Sequence, residues 1–214
     1  MNIKLLSAVA AIALSATVLS ASAQKSYTAG TITYKTSVRG QDVEAKEYFT
    51  ADSVATSFTA GPATIKVLAN AKHTSMAILV DVPVASIKKA AVMTPDEIDQ
   101  AMTQFPTFTF TPGTETKQIS GFNCKKVSAK DNKTGKSYDI WVTNDITVPE
   151  SALPYYYKTI GGFPVQYTAF QQGQSTDVTI TSVTDQKAPA GTFAIGADFD
   201  KITMDDLKSM GGGK

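Results

Sequence analysis

The sequence predicts a mainly β (α+β) domain built on one large, curved antiparallel sheet with helices packed on one face. Three observations lead to this fold class. Apolar and polar residues alternate in about ten short segments along the chain. Clusters of Gly, Pro, Asn and Asp separate these segments. One segment carries a well-formed helix start, and no heptads or fixed-period repeats occur.

The chain opens with the pattern of a cleaved export signal. The positive region Met1–Lys4 precedes the uncharged apolar run Leu5–Leu19, and Ala21–Ala23 offers the small-x-small pattern that signal peptidase accepts. The run is shorter than the about 20 residues of a membrane-spanning helix. We therefore expect cleavage before Gln24, with residues 1–23 as the signal peptide, rather than a membrane anchor.

The remaining residues, 24–214, are enough for a single domain with a sizeable core. The whole chain has 20 basic and 19 acidic residues, and removal of the signal takes away only Lys4, which leaves 19 of each. Because no basic block is present, neither nucleic acid nor an anionic membrane surface is expected as a partner. We expect a monomer that does not span the membrane, in the periplasm of a Gram-negative bacterium or secreted from it.

The first half of the mature chain reads as a series of strands. In one of them Met76, Ile78, Val80 and Val82 lie in period-two register, which predicts a strand with one packed face and one wet face. The predicted strands are Gly30–Val38, Val43–Phe49, Ser53–Thr59, Ala63–Leu68, Thr74–Val82 and Ser86–Met93.

A helix is predicted next. Thr94 is a suitable N-cap, Pro95 suits the first helical position, and Glu97 completes a capping box. Pro106 ends the helix. We interpret its apolar stripe as core rather than as a ligand site. The stripe consists of Ile98, Ala101, Met102 and Phe105.

A hairpin is the best-defined unit of the second half. Strands Phe122–Ala129 and Tyr138–Thr143 flank the polar turn Asp131–Gly135, in which Asp and Asn side chains bond the backbone and Gly accepts positive φ. Symmetric closure of this turn places Cys124 opposite Trp141. As the chain's single cysteine, Cys124 is expected to be buried rather than reactive.

The other elements of the second half are shorter. The sequence predicts strands at Thr107–Thr111 (ended by Pro112-Gly113), Gly161–Tyr167, Asp177–Thr184 and Ala188–Ile195, one or two helical turns within Pro149–Tyr157, a helix at Met204–Met210 and a flexible glycine tail from Gly211.

Several kinds of chemistry lack the residues they need. His73 and Cys124 are the only histidine and cysteine, so multi-histidine and thiolate metal sites cannot form. A serine triad would depend on His73, and no nucleophile-elbow sequence is present. No cofactor-binding motif occurs, and no cofactor or metal is expected. The acidic group Asp198, Asp200, Asp205 and Asp206 lacks a regular calcium loop, and we interpret it as a solvated face.

Three stretches together carry a resemblance to a known family. They are TKQISGFNCK at Thr116–Lys125, YDIWVT at Tyr138–Thr143 and GFPVQY at Gly162–Tyr167. In this order they resemble exported bacterial proteins grouped as a domain of unknown function, which are similar in fold to the periplasmic lipoprotein carriers of the LolA and LolB type. The resemblance covers roughly residues 28–207.

The resemblance implies a half-open antiparallel β-barrel of about ten strands, with one to three helices on its apolar concave side. In the carriers this concavity holds acyl chains, so a lipid or lipoprotein acyl chain is the implied ligand. No catalytic residue is implied. The expected cavity lining is Phe108, Phe110, Trp141, Phe163 and Tyr167.

Three functions remain open at this point. The first is a non-enzymatic periplasmic protein that binds an apolar ligand in the half-barrel. The second is an envelope interaction module without a ligand, which would use a sheet edge or the loop Tyr155–Tyr157. The third is a hydrolase, which would need two carboxyl groups about 5–10 Å apart in a cleft.

Overall fold

The computed structural model describes residues 24–38, 40–171 and 173–211. The predicted signal peptide and the end of the predicted glycine tail lie outside these residues, and Gly211 is the last residue of a helix. The strands are β1 (Lys25–Ser26), β2 (Gly30–Val38), β3 (Gln41–Phe49), β4 (Ser53–Ala60), β5 (Ala63–Asn70), β6 (Met76–Val82), β7 (Ile87–Val92), β8 (Phe108–Ile119), β9 (Phe122–Asp131), β10 (Ser137–Thr143), β11 (Ile146–Thr147), β12 (Phe163–Gln171), β13 (Gln174–Thr184) and β14 (Asp200–Ile202). The helices are α1 (Pro95–Thr103) and α2 (Met204–Gly211), with 3₁₀ turns at Pro83–Ala85, Glu150–Ala152 and Tyr155–Tyr157.

Twelve of these strands form one sheet, which confirms the mainly β fold class. Their order is β14-β7-β6-β5-β4-β3-β2-β13-β12-β10-β9-β8, and β1 pairs with β11 in a separate small sheet. All neighbours in the large sheet are antiparallel except β14, which runs parallel to β7. The sheet is therefore mixed rather than purely antiparallel, and it has more strands than the predicted ten. It does not close into a barrel, because β8 and β14 lie at opposite edges.

Apart from β14, the large sheet consists of two meanders that meet at one pair of strands. The first meander is β2 to β7, and the second contains β8, β9, β10, β12 and β13. They join where β13 pairs with β2, so that Ile180 lies opposite Tyr34 and Val183 lies opposite Ile32. This junction brings together residues about 150 positions apart in the sequence.

The sheet is strongly curved. Met76 on β6 and Phe170 on β12 line the same cavity, although six inter-strand steps separate their strands in the sheet. In a flat sheet, six steps at the usual spacing would separate them by about 29 Å. A cavity of about 310 Å³ reaches both residues only because the sheet bends around it. We call the side that faces this cavity the inner face.

Each face of the sheet carries part of the core. On the inner face, Ile32, Val165 and Ile180 belong to one buried cluster. A second cluster surrounds Tyr157 and consists largely of aromatic rings. The third cluster lies on the outer face of β4 to β7, where residues 185–199 cover it; it contains Ala55, Leu68, Ala77, Leu79 and Ala90, with Phe193, Ile195 and Phe199 packed against them.

The hairpin of β9 and β10 differs from the prediction by two residues in register. Cys124 lies opposite Thr143, and Trp141 lies opposite Lys126. The predicted direct pairing of Cys124 with Trp141 is therefore wrong. Since side chains alternate with a period of two, a shift by two residues leaves both side chains on the same face. The predicted turn is confirmed, because the Gly135 N–H donates to the Asp131 carbonyl oxygen at 2.8 Å.

Strand β8 continues past the point where the sequence predicts its end. Pro112 and Gly113 lie inside Phe108–Ile119, at a register shift between Pro112 and Thr116 in the pairing with β9. Proline is tolerated here because β8 is an edge strand, and because a bulge removes the need for a ladder donor.

The predicted strand Ala188–Ile195 is also wrong. This stretch forms turns, with Thr192 N–H donating to the Pro189 carbonyl and Ala194 N–H donating to the Gly191 carbonyl. Its apolar side chains reflect packing on the outer face rather than strand pairing.

The predicted positions of the two helices are confirmed, although α1 ends at Thr103, before Pro106. The Thr94 hydroxyl accepts from the Glu97 N–H at 3.3 Å, and the Glu97 carboxylate accepts from the Thr94 N–H at 2.7 Å, so the capping box is complete. The segment Pro149–Tyr157 contains two 3₁₀ turns. Among the described helices, none has the length and apolarity needed to cross a membrane.

Candidate functional site

A cavity of about 310 Å³ lies between the inner face of the sheet and the segment Ser151–Tyr156, which we call the cover. The sheet contributes residues from β2 to β6 and from β12 and β13. Most of the lining is aliphatic or aromatic. Its floor includes Val54, Ala69 and Met76, which are direct neighbours across β4, β5 and β6.

Hydrogen bonds hold the cover over the sheet. The Ser151 hydroxyl donates to the Thr50 carbonyl oxygen at the start of the β3–β4 turn. Next to the cover, the Tyr157 hydroxyl donates to the Thr168 carbonyl oxygen at 2.8 Å. The Tyr156 hydroxyl accepts from a backbone N–H of the same strand, β12, at 3.0 Å. The cover is thus attached to both meanders, on opposite sides of the cavity.

Among the described residues, Glu47 is the only carboxyl group in the lining of this cavity. It lies on β3 between Ile32 on β2 and Thr56 on β4, in a row that continues to Val67 on β5. Its carboxylate accepts one hydrogen bond, from the Thr56 hydroxyl at 3.1 Å. Burial raises the pKa of this carboxyl group to about 7, although the Thr56 bond acts in the opposite direction.

Three tyrosines surround the same end of the cavity. Tyr34 projects from β2, Tyr167 from β12 and Tyr156 from the cover. Burial raises the pKa of Tyr34 and of Tyr167, and the negative charge of nearby Glu47 adds to the effect in both. Glu47, Tyr34 and Tyr167 therefore line one cavity from three strands, β3, β2 and β12.

A group of aromatic rings also lines the cavity and includes the exposed Tyr155. His73 contacts Tyr155 edge to face at 5.4 Å between ring centroids, and Phe105 contacts Tyr156 at 5.4 Å. Tyr155 is 48% exposed. Burial lowers the pKa of His73, and the charge of nearby Lys158 lowers it further, which favours the neutral imidazole.

Two of the five residues predicted to line a cavity do so. Phe163 and Tyr167 are in the lining. Phe108 and Phe110 instead belong to the aromatic cluster, where Phe108 stacks on the Tyr157 ring at 5.5 Å.

Trp141 does not line the cavity. It faces the same way as Lys117, whose amino group lies 4.1 Å from the indole centroid and also donates to the side chain of Gln166 at 2.9 Å. Trp141 was predicted to line the cavity because it is the only tryptophan in the chain. In the structure it packs against the Lys117 amino group.

The sequence reasoning missed Glu47, although the pattern of β3 contains a signal. Val43, Ala45, Glu47 and Phe49 alternate onto one face, so a carboxylate stands at a position where the neighbours are apolar. A charged residue on the apolar face of a strand lies either at an exposed edge of the sheet or in a functional site. The order of the strands decides between these, and the sequence did not reveal that order.

The remaining candidates have structural explanations. Cys124 is a free, buried cysteine that is 2% exposed, and burial raises its thiol pKa to about 11, which agrees with an unreactive residue. In the acidic group, Asp198 and Asp200 pair with Lys88 at 2.7 Å and Lys89 at 2.8 Å.

The run Tyr155–Tyr157 is not an exposed docking loop as a whole, because Tyr157 is fully buried and Tyr156 is half-buried. The described residues of the cavity lining also include no second acid, which a glycoside hydrolase requires. Within the part of the chain that the structure describes, no group of three potential metal ligands occurs.

Comparison with known proteins gives a fold relationship only. No family model and no curated protein matches the chain. Among solved structures it is similar to PNGF-II in a C2 crystal form, with 18% identity and a TM-score of 0.50 over 85% of this chain and 32% of that one. For PNGF-II in a P21 form the values are 17%, 0.51, 86% and 33%. This chain thus spans about a third of PNGF-II, and the likeness shows a shared fold at low identity.

Proposed function

We propose that this protein is a non-enzymatic binding protein of the bacterial envelope, which holds an apolar ligand such as a lipid or a lipoprotein acyl chain in the cavity. The observation that carries the proposal is the largely aliphatic and aromatic lining of a space of about 310 Å³. Small-molecule sites typically start at about 300 Å³. The signal-like N-terminus and the resemblance to the lipoprotein carriers support the location and the class of ligand.

The floor of the cavity suits an alkyl chain. Val54, Ala69 and Met76 form a continuous apolar row across three strands, and Val67 extends it towards Glu47. Each methylene of a ligand that leaves water for such a surface contributes about 0.8 kcal/mol. A chain of several methylenes therefore gains enough binding free energy without any ion pair.

Filling the cavity tests the proposal. Ala69→Phe adds a ring to the floor, and Val84→Phe is the matched control, because Val84 is 83% exposed and does not line the cavity. Binding of decanol is measured by displacement of a neutral apolar dye from residues 24–214. We expect decanol to bind the wild type and the control alike, and to bind Ala69→Phe at least about tenfold more weakly. Absence of binding to the wild type, or equal binding to all three proteins, would refute the function.

A further inference from the structure

We propose that the cavity selects a ligand whose apolar body carries a basic amino group, which binds the Glu47 carboxylate and the neighbouring tyrosine hydroxyls. The inference rests on the proposed apolar-ligand function and narrows the ligand to an alkylamine-like amphiphile. It follows from unused hydrogen-bonding capacity at the Glu47 end of the cavity and from the balance of charge there.

Near Glu47, two polar groups of the lining have no hydrogen-bond partner among the residues that the structure describes. They are one carboxylate oxygen of Glu47, since the Thr56 hydroxyl bonds the other, and the hydroxyl of Tyr167. The Tyr34 hydroxyl, which also lines the cavity, has Thr56 as a hydrogen-bond partner. Neither atom is among the fully buried side-chain atoms without a partner, since that set in the described chain contains only Asp81 Oδ1. Both residues line the cavity, so both groups are open to a ligand there.

The charge of Glu47 determines which ligand head group binds favourably beside it. None of the ion pairs among the described residues includes Glu47. A half-buried carboxylate without a cation is costly, and the rise of its pKa to about 7 reflects this cost. A ligand carboxylate would add a second negative charge, whereas an ammonium group would neutralise the first.

An ammonium group also fits the chemistry of the lining. It would donate charge-assisted hydrogen bonds to Glu47, which are about twice as strong as neutral ones. The hydroxyl oxygens of Tyr34 and Tyr167 are available as further acceptors. The tyrosine rings around the site add cation–π attraction at short range. An alcohol would retain only neutral hydrogen bonds.

The experiment compares three ligands with the same alkyl chain, namely decylamine, decanol and decanoic acid. Displacement of the neutral apolar dye is measured at pH 8 with the wild type, Glu47→Gln and Glu44→Gln. Glu44 is exposed and lies on the opposite face of β3, so its variant removes a matched carboxylate. We expect the wild type to bind decylamine at least about tenfold more tightly than decanol, and decanoic acid most weakly. Glu47→Gln should bind decylamine and decanol equally, whereas Glu44→Gln should keep the preference.

A second measurement uses the wild type alone and does not depend on the variant. At pH 7 part of the Glu47 population is protonated. If an ammonium group ionises Glu47, decylamine binding should release, on average, a fraction of one proton per ligand bound, and decanol binding should release none. Titration calorimetry in two buffers with different heats of ionisation measures this release.

The outcomes separate the two proposals. If none of the three ligands displaces the dye from the wild type, the apolar-ligand function itself fails. If decanol binds but decylamine binds no more tightly, or if decylamine binding releases no proton, the function stands and the amine preference is refuted. Tightest binding of decanoic acid would refute it as well, because Glu47 would then act as a protonated donor.

Discussion

Substitution of Glu47 by Gln should remove a pH dependence of stability that the cavity imposes on the fold. The pKa of this carboxyl group rises from 4.5 to about 7 in the native state, so between these values the native protein holds a proton that the unfolded chain has released. The free energy of unfolding therefore falls as the pH rises through this window. At about 1.36 kcal/mol per pH unit, the full effect is about 3 kcal/mol, of which about 2.5 kcal/mol lies between pH 5 and pH 8.

Other groups near Glu47 either do not titrate in this window or titrate with the opposite sign. The tyrosines that face it from β2, β12 and the cover have raised pKa values and stay neutral; they are Tyr34, Tyr167 and Tyr156. The pKa of His73 is lowered, so its contribution to stability grows as the pH rises through its ordinary value of 6.5. The difference between wild type and variant isolates Glu47, because His73 is present in both.

The assay is urea denaturation of both proteins at several pH values from 5 to 8, followed by tryptophan fluorescence. The variant should gain stability relative to the wild type as the pH rises, by about 2.5 kcal/mol over the range. Parallel profiles for the two proteins would refute the reasoning, since they would mean that Glu47 titrates as a solvated carboxylate. Glu44→Gln serves as the control and should follow the wild type, because Glu44 is exposed.

Three further predictions concern the fold. Thr94→Ala removes the capping box of α1 and should lower the free energy of unfolding by about 1 kcal/mol in urea; an unchanged midpoint would mean that the cap does not stabilise the protein. Gly121→Ala forces a side chain onto a residue with φ of 86° in the β8–β9 turn, and should cost about 1 kcal/mol in the same assay, whereas a neutral effect would show that the turn adapts. Cys124 should react with a thiol reagent at pH 8 about a hundredfold more slowly in the native protein than in urea, because burial raises its pKa from 9.0 to about 11; equal rates would contradict its burial.

Local patterns in the sequence predicted most of the elements, because local physics determines them. Period-two alternation is enough to locate β2 to β7, and the capping box locates the start of α1. The predictions fail where the partner of a segment matters. Pro112 breaks a central strand but not an edge strand, and β8 is an edge only because of the order of strands in the whole sheet.

The candidate site depended even more on long-range structure. Phe108, Phe163 and Tyr167 look alike as aromatic residues in alternating strands, yet only the last two face the cavity. Which aromatics line a space and which fill the core depends on how the sheet curves and on where the cover lies. Glu47 could have been singled out from its apolar neighbours on β3, but its burial needed the strands on either side.

The parallel pairing of β14 with β7 has a consequence for the order of events during synthesis. Strand β7 ends the first meander, and its outer edge has no partner until residues 185–199 have crossed the outer face and β14 has followed them. During this interval Lys88 and Lys89 place positive charge on an open edge, which discourages pairing between nascent chains. Asp198 and Asp200 then arrive with β14 and pair with the same two lysines. A chain truncated before residue 185 would lack β14, so the edge of β7 would stay unpaired. We expect such a chain to aggregate through this edge.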